Sequence, residues 1–203
     1  MRIGIIGSGH VGSSLALGLT RHGHDVMLGT RDVNKPAVGE FVEASDGRGS
    51  AGSYAEAARF GDIVITAYPG ARVEESAAAI GPENLTGKIV IDTVNPIEHL
   101  ADGTTKAAYG DTDSAAEVLQ RIAPGARVVK AYNTVWANRM VDPSPAEGAT
   151  TMRVAGDDAD AKTEVESLLT STGWRVRDLG GLEHARELEH EVVVWAAGMD
   201  SAR

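Results

Sequence analysis

Short apolar runs and helical stretches alternate along nearly the whole chain. Arg2–Ile6 (RIGII) is a run suited to a strand buried on both faces. After the turn Gly7-Ser8-Gly9-His10-Val11-Gly12, the positions Val11, Leu15 and Leu19 recur at helical spacing, and Gly23 ends the pattern as a C-terminal cap. Asp25–Leu28 supplies a second strand and completes a βαβ unit within about thirty residues. Further β-branched runs follow at Asp62–Thr66, Lys88–Asp92 and Arg127–Ala131, with helices expected at about Arg72–Ile80 and Ser114–Ala123. Thr150–Ala155, Ala159–Ser171 and Trp174–Arg177 read as strand, helix, strand, and a last helix covers about Glu183–Met199.

Strands alternating with helices predict an α/β fold with a doubly wound, mostly parallel Rossmann-like sheet and a small C-terminal α/β part. We expect residues 1–123 to form the dinucleotide-binding domain, with 124–203 completing the sheet, the acceptor pocket and a dimer interface. Gly, Pro, Asp and Thr content marks Pro36–Ser53, Asn95–Asp113 and Asp142–Ala149 as loops. The middle one follows a strand's carboxyl end, where open α/β sheets bind their ligands.

Composition narrows the chemistry. The chain has 203 residues, enough for one good core but hardly for two full domains. It has no cysteine, which excludes disulfide scaffolds, thiolate zinc sites and Cys nucleophiles. With 19 Lys+Arg against 29 Asp+Glu, its net charge of −10 argues against nucleic acid as a partner. No run approaches the roughly 20 apolar residues that cross a bilayer, and Met1 leads straight into a strand pattern rather than a secretory leader. A cytoplasmic protein without membrane contact is expected.

The glycine spacing has a physical rationale at each position. Gly7 permits the tight turn out of the strand, Gly9 lets a pyrophosphate approach the backbone, and Gly12 lets the helix pack close to the sheet. The helix N-terminus then offers free N–H groups and a partial positive charge to phosphates. The motif alone is weak. Its place after a first strand, before a patterned helix and a second strand, makes it specific. NAD sites put an acidic residue at the end of the second strand; here stands Gly29-Thr30-Arg31-Asp32, with Lys35 behind. Thr30, Arg31 and Lys35 suit a 2′-phosphate, so NADP is the expected cofactor. Asp32 is expected to point away or to pair with Arg31.

No Tyr-x-x-x-Lys pair, His-Asp relay or metal-ligand spacing is present. Lys130 is the best lone acid/base candidate, against the plainer reading of a strand-end lysine in an ion pair. His22 and His24 flank a helix end, and His184 and His190 read as a solvated helix face. Trp136, Trp174 and Trp195 are core or interface anchors, the core reading being preferred for Trp174. Val192, Val193, Val194 and Trp195 make the last helix apolar enough to pack on a second subunit. Arg186 either binds an acidic substrate tail or pairs with Glu189 or Glu183. Hydride transfer between two bound cofactors needs no protein base, only rings held face to face without water.

Over nearly its whole length the chain resembles the coenzyme F420-dependent NADP oxidoreductases. The resemblance is carried by the glycine loop, by Gly29-Thr30-Arg31, by Asp62–Pro69 (DIVITAYP), by Lys88–Pro96 (KIVIDTVNP) and by Val128–Asn138 (VVKAYNTVWAN). Val154–Asp158 and Asp178–Arg186 match the family's C-terminal signatures. The resemblance implies that Gly7, Ser8, Gly9, His10, Val11 and Gly12 hold the pyrophosphate. It places Ala67, Tyr68 and Pro69 at the nicotinamide ribose, and Asn95 and Pro96 near the ring. Asn133 and Thr134 would face the second substrate, with Trp136 as a wall. Archaeal members have a longer glycine loop, an aromatic residue where Gly70 stands and a histidine where Asn133 stands. The implied activity is hydride transfer between NADPH and coenzyme F420 in a homodimer. The alternatives are an NADPH-dependent reductase of flavin or of a small carbonyl or imine compound, and a non-catalytic NADP sensor.

Overall fold

A computed structural model describes residues 1–101, 104–143 and 151–200, the side chains of 199 and 200 excepted. The elements run β1 (Arg2–Ile6), α1 (His10–Arg21), β2 (Asp25–Gly29), α2 (Pro36–Ala44), β3 (Gly49–Gly52), α3 (Tyr54–Phe60), β4 (Ile63–Thr66), α4 (Val73–Ile80) and β5 (Ile89–Asp92). They continue with β6 (Ile97–His99), β7 (Thr105–Ala107), α5 (Ala115–Ile122), β8 (Arg127–Lys130), β9 (Thr151–Gly156), α6 (Ala159–Ser171), β10 (Arg175–Asp178) and α7 (Ala185–Asp200). The main sheet has the order β10-β9-β8-β5-β4-β1-β2-β3. From β3 to β8 it is parallel, and its order is that of a dinucleotide-binding sheet, with β8 in the sixth place.

Alternation along the buried strands builds two apolar layers. Ile3 and Ile5 of β1 join Leu15, Leu19, Val165, Leu169 and Trp174 on one face. Ile6, Val64 and Val90 join Ala57, Val73, Ile80 and Leu119 on the other. Trp174 is a core residue, as preferred from sequence, and its indole N–H donates to the Met140 carbonyl at 2.8 Å.

Two expected loops need correction. The segment Pro36–Ser53 is not a loop: Pro36 opens α2 at the first helical position, where its missing N–H costs nothing, and Gly49–Gly52 pairs with β2 as the edge strand. The sequence GSAG has no β-branched residue, so its strand was invisible to propensity. The segment Asn95–Asp113 contains the antiparallel β6–β7 hairpin. The third loop, Asp142–Ala149, lies outside the described residues from 144 on, as does Thr150 at the start of the strand expected there. The sheet also departs from parallel at one place, where β9 runs antiparallel to β8. No α-helix joins those two strands among the described residues, and a parallel pair needs such a crossover.

α3 was not foreseen, although its start is written in the chain. Ser53 and Glu56 form a reciprocal capping box, the Ser53 hydroxyl accepting from the Glu56 N–H and the Glu56 carboxylate from the Ser53 N–H. The expected last helix is divided into a 3-10 turn, Leu182–His184, and α7.

Candidate functional site

The loop from β1 to α1 turns on Gly7, whose φ of +123° is a conformation few side chains adopt. A Cβ at Gly12 would lie 1.8 Å from the Gly7 carbonyl oxygen, so only glycine lets α1 start this close to the strand. Gly9 is different, because a Cβ there would meet no atom within 4 Å. Gly9 is also the N-cap of α1 and makes no side-chain cap bond, so the first-turn N–H groups face open space. This is a cradle shaped for an anion, and it fits a dinucleotide pyrophosphate.

Around it lies a cleft of about 350 Å3. Gly7, Ser8, Gly9, His10 and Val11 form its base, with Ala67, Tyr68 and Pro69 along one side and Thr30, Arg31 and Lys35 at one end. Gly12 packs beneath the loop. The Ser8 and Thr30 hydroxyls lie 2.8 Å apart, and the Asp32 N–H donates to Thr30 Oγ1 at 3.2 Å, so buried Thr30 ties the glycine loop to the end of β2. Asp32 neither enters the cleft nor pairs with Arg31; its carboxylate accepts from the Asn34 N–H at 3.0 Å. Arg31 lies 3.8 Å from Glu75, and both are well exposed. With Lys35 it gives this end of the cleft a positive edge. Sequence reasoning missed Tyr54, which lines the cleft from the first turn of α3 and would have followed from the capping box. The Tyr68 phenol is buried, and burial with the nearby Asp92 charge holds it well above its usual range, hence neutral.

Val11 and His10 also line a second cavity of about 450 Å3, reached across the start of α1. Asn95, Asn133, Thr134 and Trp136 lie together here. The Asn133 amide donates to Asn95 Oδ1 and the Asn95 amide to the Asn133 carbonyl, both at 2.9 Å, so the two carboxamides form one rigid floor. The turn that brings Asn133 there runs through Tyr132, fully buried at a φ of +65°, a strained conformation for an aromatic residue. Pro96 sits buried behind Asn95, its carbonyl accepting from the Ala108 N–H at 2.8 Å. A Cβ at Gly70 would lie 2.2 Å from the Asn95 carbonyl oxygen, so no larger residue fits there without moving the floor.

The opposite wall is α7, within the 124–203 part expected to complete the acceptor pocket, though none of its residues was assigned to the site from sequence. Glu191, Val192 and Trp195 line the cavity. Leu188, Val192 and Trp195 share one helical stripe, and that spacing was the available signal. Trp195 meets Trp136 edge to face, with ring centroids 4.8 Å apart and planes at 80°, and both rings are about half exposed.

Under the floor lies a buried ionic cluster. Lys130 Nζ donates to Asp92 Oδ2 at 2.7 Å, to the Val94 carbonyl at 2.5 Å and to Glu189 Oε1 at 2.6 Å. All three side chains are almost wholly buried. The Glu189 carboxylate also accepts from the Ala115 and Ala116 N–H groups at the start of α5, and Thr66 Oγ1 donates to Asp92 Oδ1. Burial pulls the Lys130 ammonium down, but Asp92 and Glu189 together hold it above its usual range. Burial pushes the Glu189 carboxyl up, Lys130 opposes this and Asp92 adds to it, with a net rise. Lys130 is therefore the ion-paired lysine of the two readings, with its ammonium fully committed. Arg186 pairs with neither Glu189 nor Glu183; it makes a two-pronged contact with Glu117 at 2.6 and 2.8 Å.

A dinucleotide-binding sheet, a glycine cradle on a helix N-terminus and an adjoining cavity at the strands' carboxyl ends define a nucleotide-dependent oxidoreductase. The family pattern described as "NADP oxidoreductase coenzyme F420-dependent" matches residues 2–96. The F420-dependent NADP reductase of Methanothermobacter marburgensis is 31% identical over 201 residues, covering 93% of this chain and 88% of that one. A candidate F420-dependent NADP reductase from Arthrobacter sp. FB24 is 35% identical, with a TM-score of 0.88 over 96% of this chain and 91% of that one. The chain belongs to the F420-dependent NADP oxidoreductase family and is an NADP-dependent oxidoreductase. Metalloreductase STEAP3 of Rattus norvegicus is 30% identical over 190 residues, but the chain spans only 36% of its length. An imine reductase from Aspergillus terreus in complex with NADPH4 shares the fold, with a TM-score of 0.68 at 18% identity over 98% of this chain and 61% of that one. No helix among the described residues is long and apolar enough to cross a membrane.

Proposed function

We propose that this protein transfers a hydride between NADPH and a planar deazaflavin, coenzyme F420, seated in the cavity between Asn133 and α7. The observation that carries this reading is the Trp136–Trp195 pair, which walls a cavity that shares His10 and Val11 with the glycine-loop cleft. Paired indoles over a carboxamide floor suit a flat heteroaromatic ring. When bound, NADPH would supply the hydride. Gly7, Ser8, Gly9, His10, Val11 and Gly12 would hold its pyrophosphate, and Arg31 and Lys35 its 2′-phosphate on the loop that Thr30 shapes. Ala67, Tyr68, Pro69, Asn95 and Pro96 would bound the ribose and nicotinamide. Asn133, Thr134 and Trp136 would hold the acceptor.

Reduction of a carbonyl or imine fits less well. With Lys130 as its proton donor it would need an ammonium free to reach the substrate, and the Lys130 ammonium is fixed beneath the floor by three buried bonds. In this reading the protein works in the cytoplasm as a homodimer, with Val194 and Trp195 of α7 covered by the second copy.

The test is NADPH oxidation, followed by nicotinamide absorbance, with F420, FMN, FAD or no acceptor. Turnover with F420 alone supports the proposal. Turnover with flavins alone moves the function to flavin reduction. NADPH binding with no turnover, and a change of oligomeric state on binding, would instead make the protein a sensor.

A further inference from the structure

Hydride transfer to a flat acceptor leaves an unpaid charge. The ring gains two electrons and one proton, and a neutral ring becomes an anion until a second proton reaches its nitrogen. The groups around the acceptor cavity offer few sources for that proton. Asn95, Asn133, Thr134 and the two indoles do not ionise near neutral pH. Glu191 is engaged with Arg153 at 2.6 Å. Imidazole is the side chain that ordinarily exchanges a proton near neutrality.

Resting on the transfer reading above, we propose that His10 is the proton donor to the reduced acceptor. His10 and Val11 line both the dinucleotide cleft and the acceptor cavity, and His10 is the titratable residue of the two. Its ring is exposed, and no hydrogen bond or ion pair holds it among the described residues. Its backbone sits in the first turn of α1, so the rigid glycine loop fixes where the ring starts. The charged groups around it are Glu191 of α7, Arg139 on the shelf beyond Trp136, and Arg31 and Lys35 across the cleft. The protonated ring gives its N–H proton to the ring nitrogen of the acceptor as the hydride arrives at carbon or nitrogen. Neutral imidazole is left and takes a proton back from solvent, to which the exposed ring has access.

The test compares the unaltered protein with His10→Asn and His10→Ala, neither of which removes a core contact. For both variants kcat should fall about a hundredfold. Imidazole added to His10→Ala should restore part of the rate. Because His10 would hold the pyrophosphate through its backbone N–H, which both variants keep, Kd for NADPH, measured by calorimetry, should change less than about threefold. The His10 Cε1–H NMR signal, assigned by its loss in His10→Asn, should move when F420 or FMN is added to the NADP+ complex. Unaltered kcat in both variants overturns the proposal. So does a tenfold weaker NADPH Kd at unchanged kcat, which would make His10 a phosphate contact. Absence of transfer in the unaltered protein with every acceptor overturns the function read above and the proton role with it, whereas normal transfer with indifferent variants overturns the proton role alone.

Discussion

Replacing Lys130 with methionine removes the one cation from a buried cluster that holds two carboxylates. Met is close to Lys in length, so the packing change is small and the effect is electrostatic. Three short bonds vanish at once, to Asp92, Val94 and Glu189. Asp92 and Glu189, with almost no exposure, cannot recover them from water. Removing one member of a buried pair costs about 3–5 kcal/mol, against a total stability of about 5–15 kcal/mol. The variant should therefore fold but melt early, its urea midpoint lower by about 1–2 M.

The pH dependence has a defined sign. Glu189 is held above its usual range in the folded protein, so its contribution to stability is fullest below the ordinary glutamate value and is lost as pH rises through the folded value. Lys130 opposes that rise, and in its absence the folded value climbs further. Acidifying Lys130→Met from about pH 7 to about pH 5 should thus shrink its deficit relative to the unaltered protein. Adding Glu189→Gln should recover at least about 1 kcal/mol, since a neutral amide oxygen still accepts from the Ala115 N–H. Denaturation at the two pH values, monitored by tryptophan fluorescence, decides the matter. A neutral-pH loss below about 1 kcal/mol, or a deficit that does not shrink on acidification, would refute the reasoning.

The glycine loop predicts two opposite phenotypes. Gly9→Ala should leave the melting temperature unchanged but weaken NADPH binding at least about tenfold, because its methyl enters open cradle; Gly12→Ala should cost about 1–3 kcal/mol of stability through its clash with the Gly7 carbonyl. Arg31→Ala should raise the Kd for NADPH about 10- to 100-fold and leave NADH binding nearly unchanged, as titration of both nucleotides would reveal. Trp195→Ala should raise the acceptor KM about three- to tenfold while the NADPH KM stays constant, since the indole walls only the second cavity.

Much of the nucleotide half was legible in the chain. The β1 run, the three glycines and the β2 run each carry their signal within a few residues, because strand burial, turn geometry and helix packing are local demands. The cation-rich end of the cleft followed from Thr30, Arg31 and Lys35 alone. The carboxamides of Asn95 and Asn133 were legible only as candidates, through a family resemblance. Nothing local announced that they pair.

The sequence by itself determined the strands of the parallel part of the sheet other than β3, and where a phosphate could meet a helix end. Tertiary structure decided the rest. GSAG became a strand because β2 offered it an open edge, not because its residues prefer one. β9 runs antiparallel to β8, and among the described residues no α-helix carries the chain from β8 back across the sheet. Lys130 found Glu189 59 residues away, and α7 came back over the site to set Trp195 against Trp136. Such pairings depend on which surfaces meet once the core closes. Periodicity records the faces an element buries, but not the distant face it will be buried against.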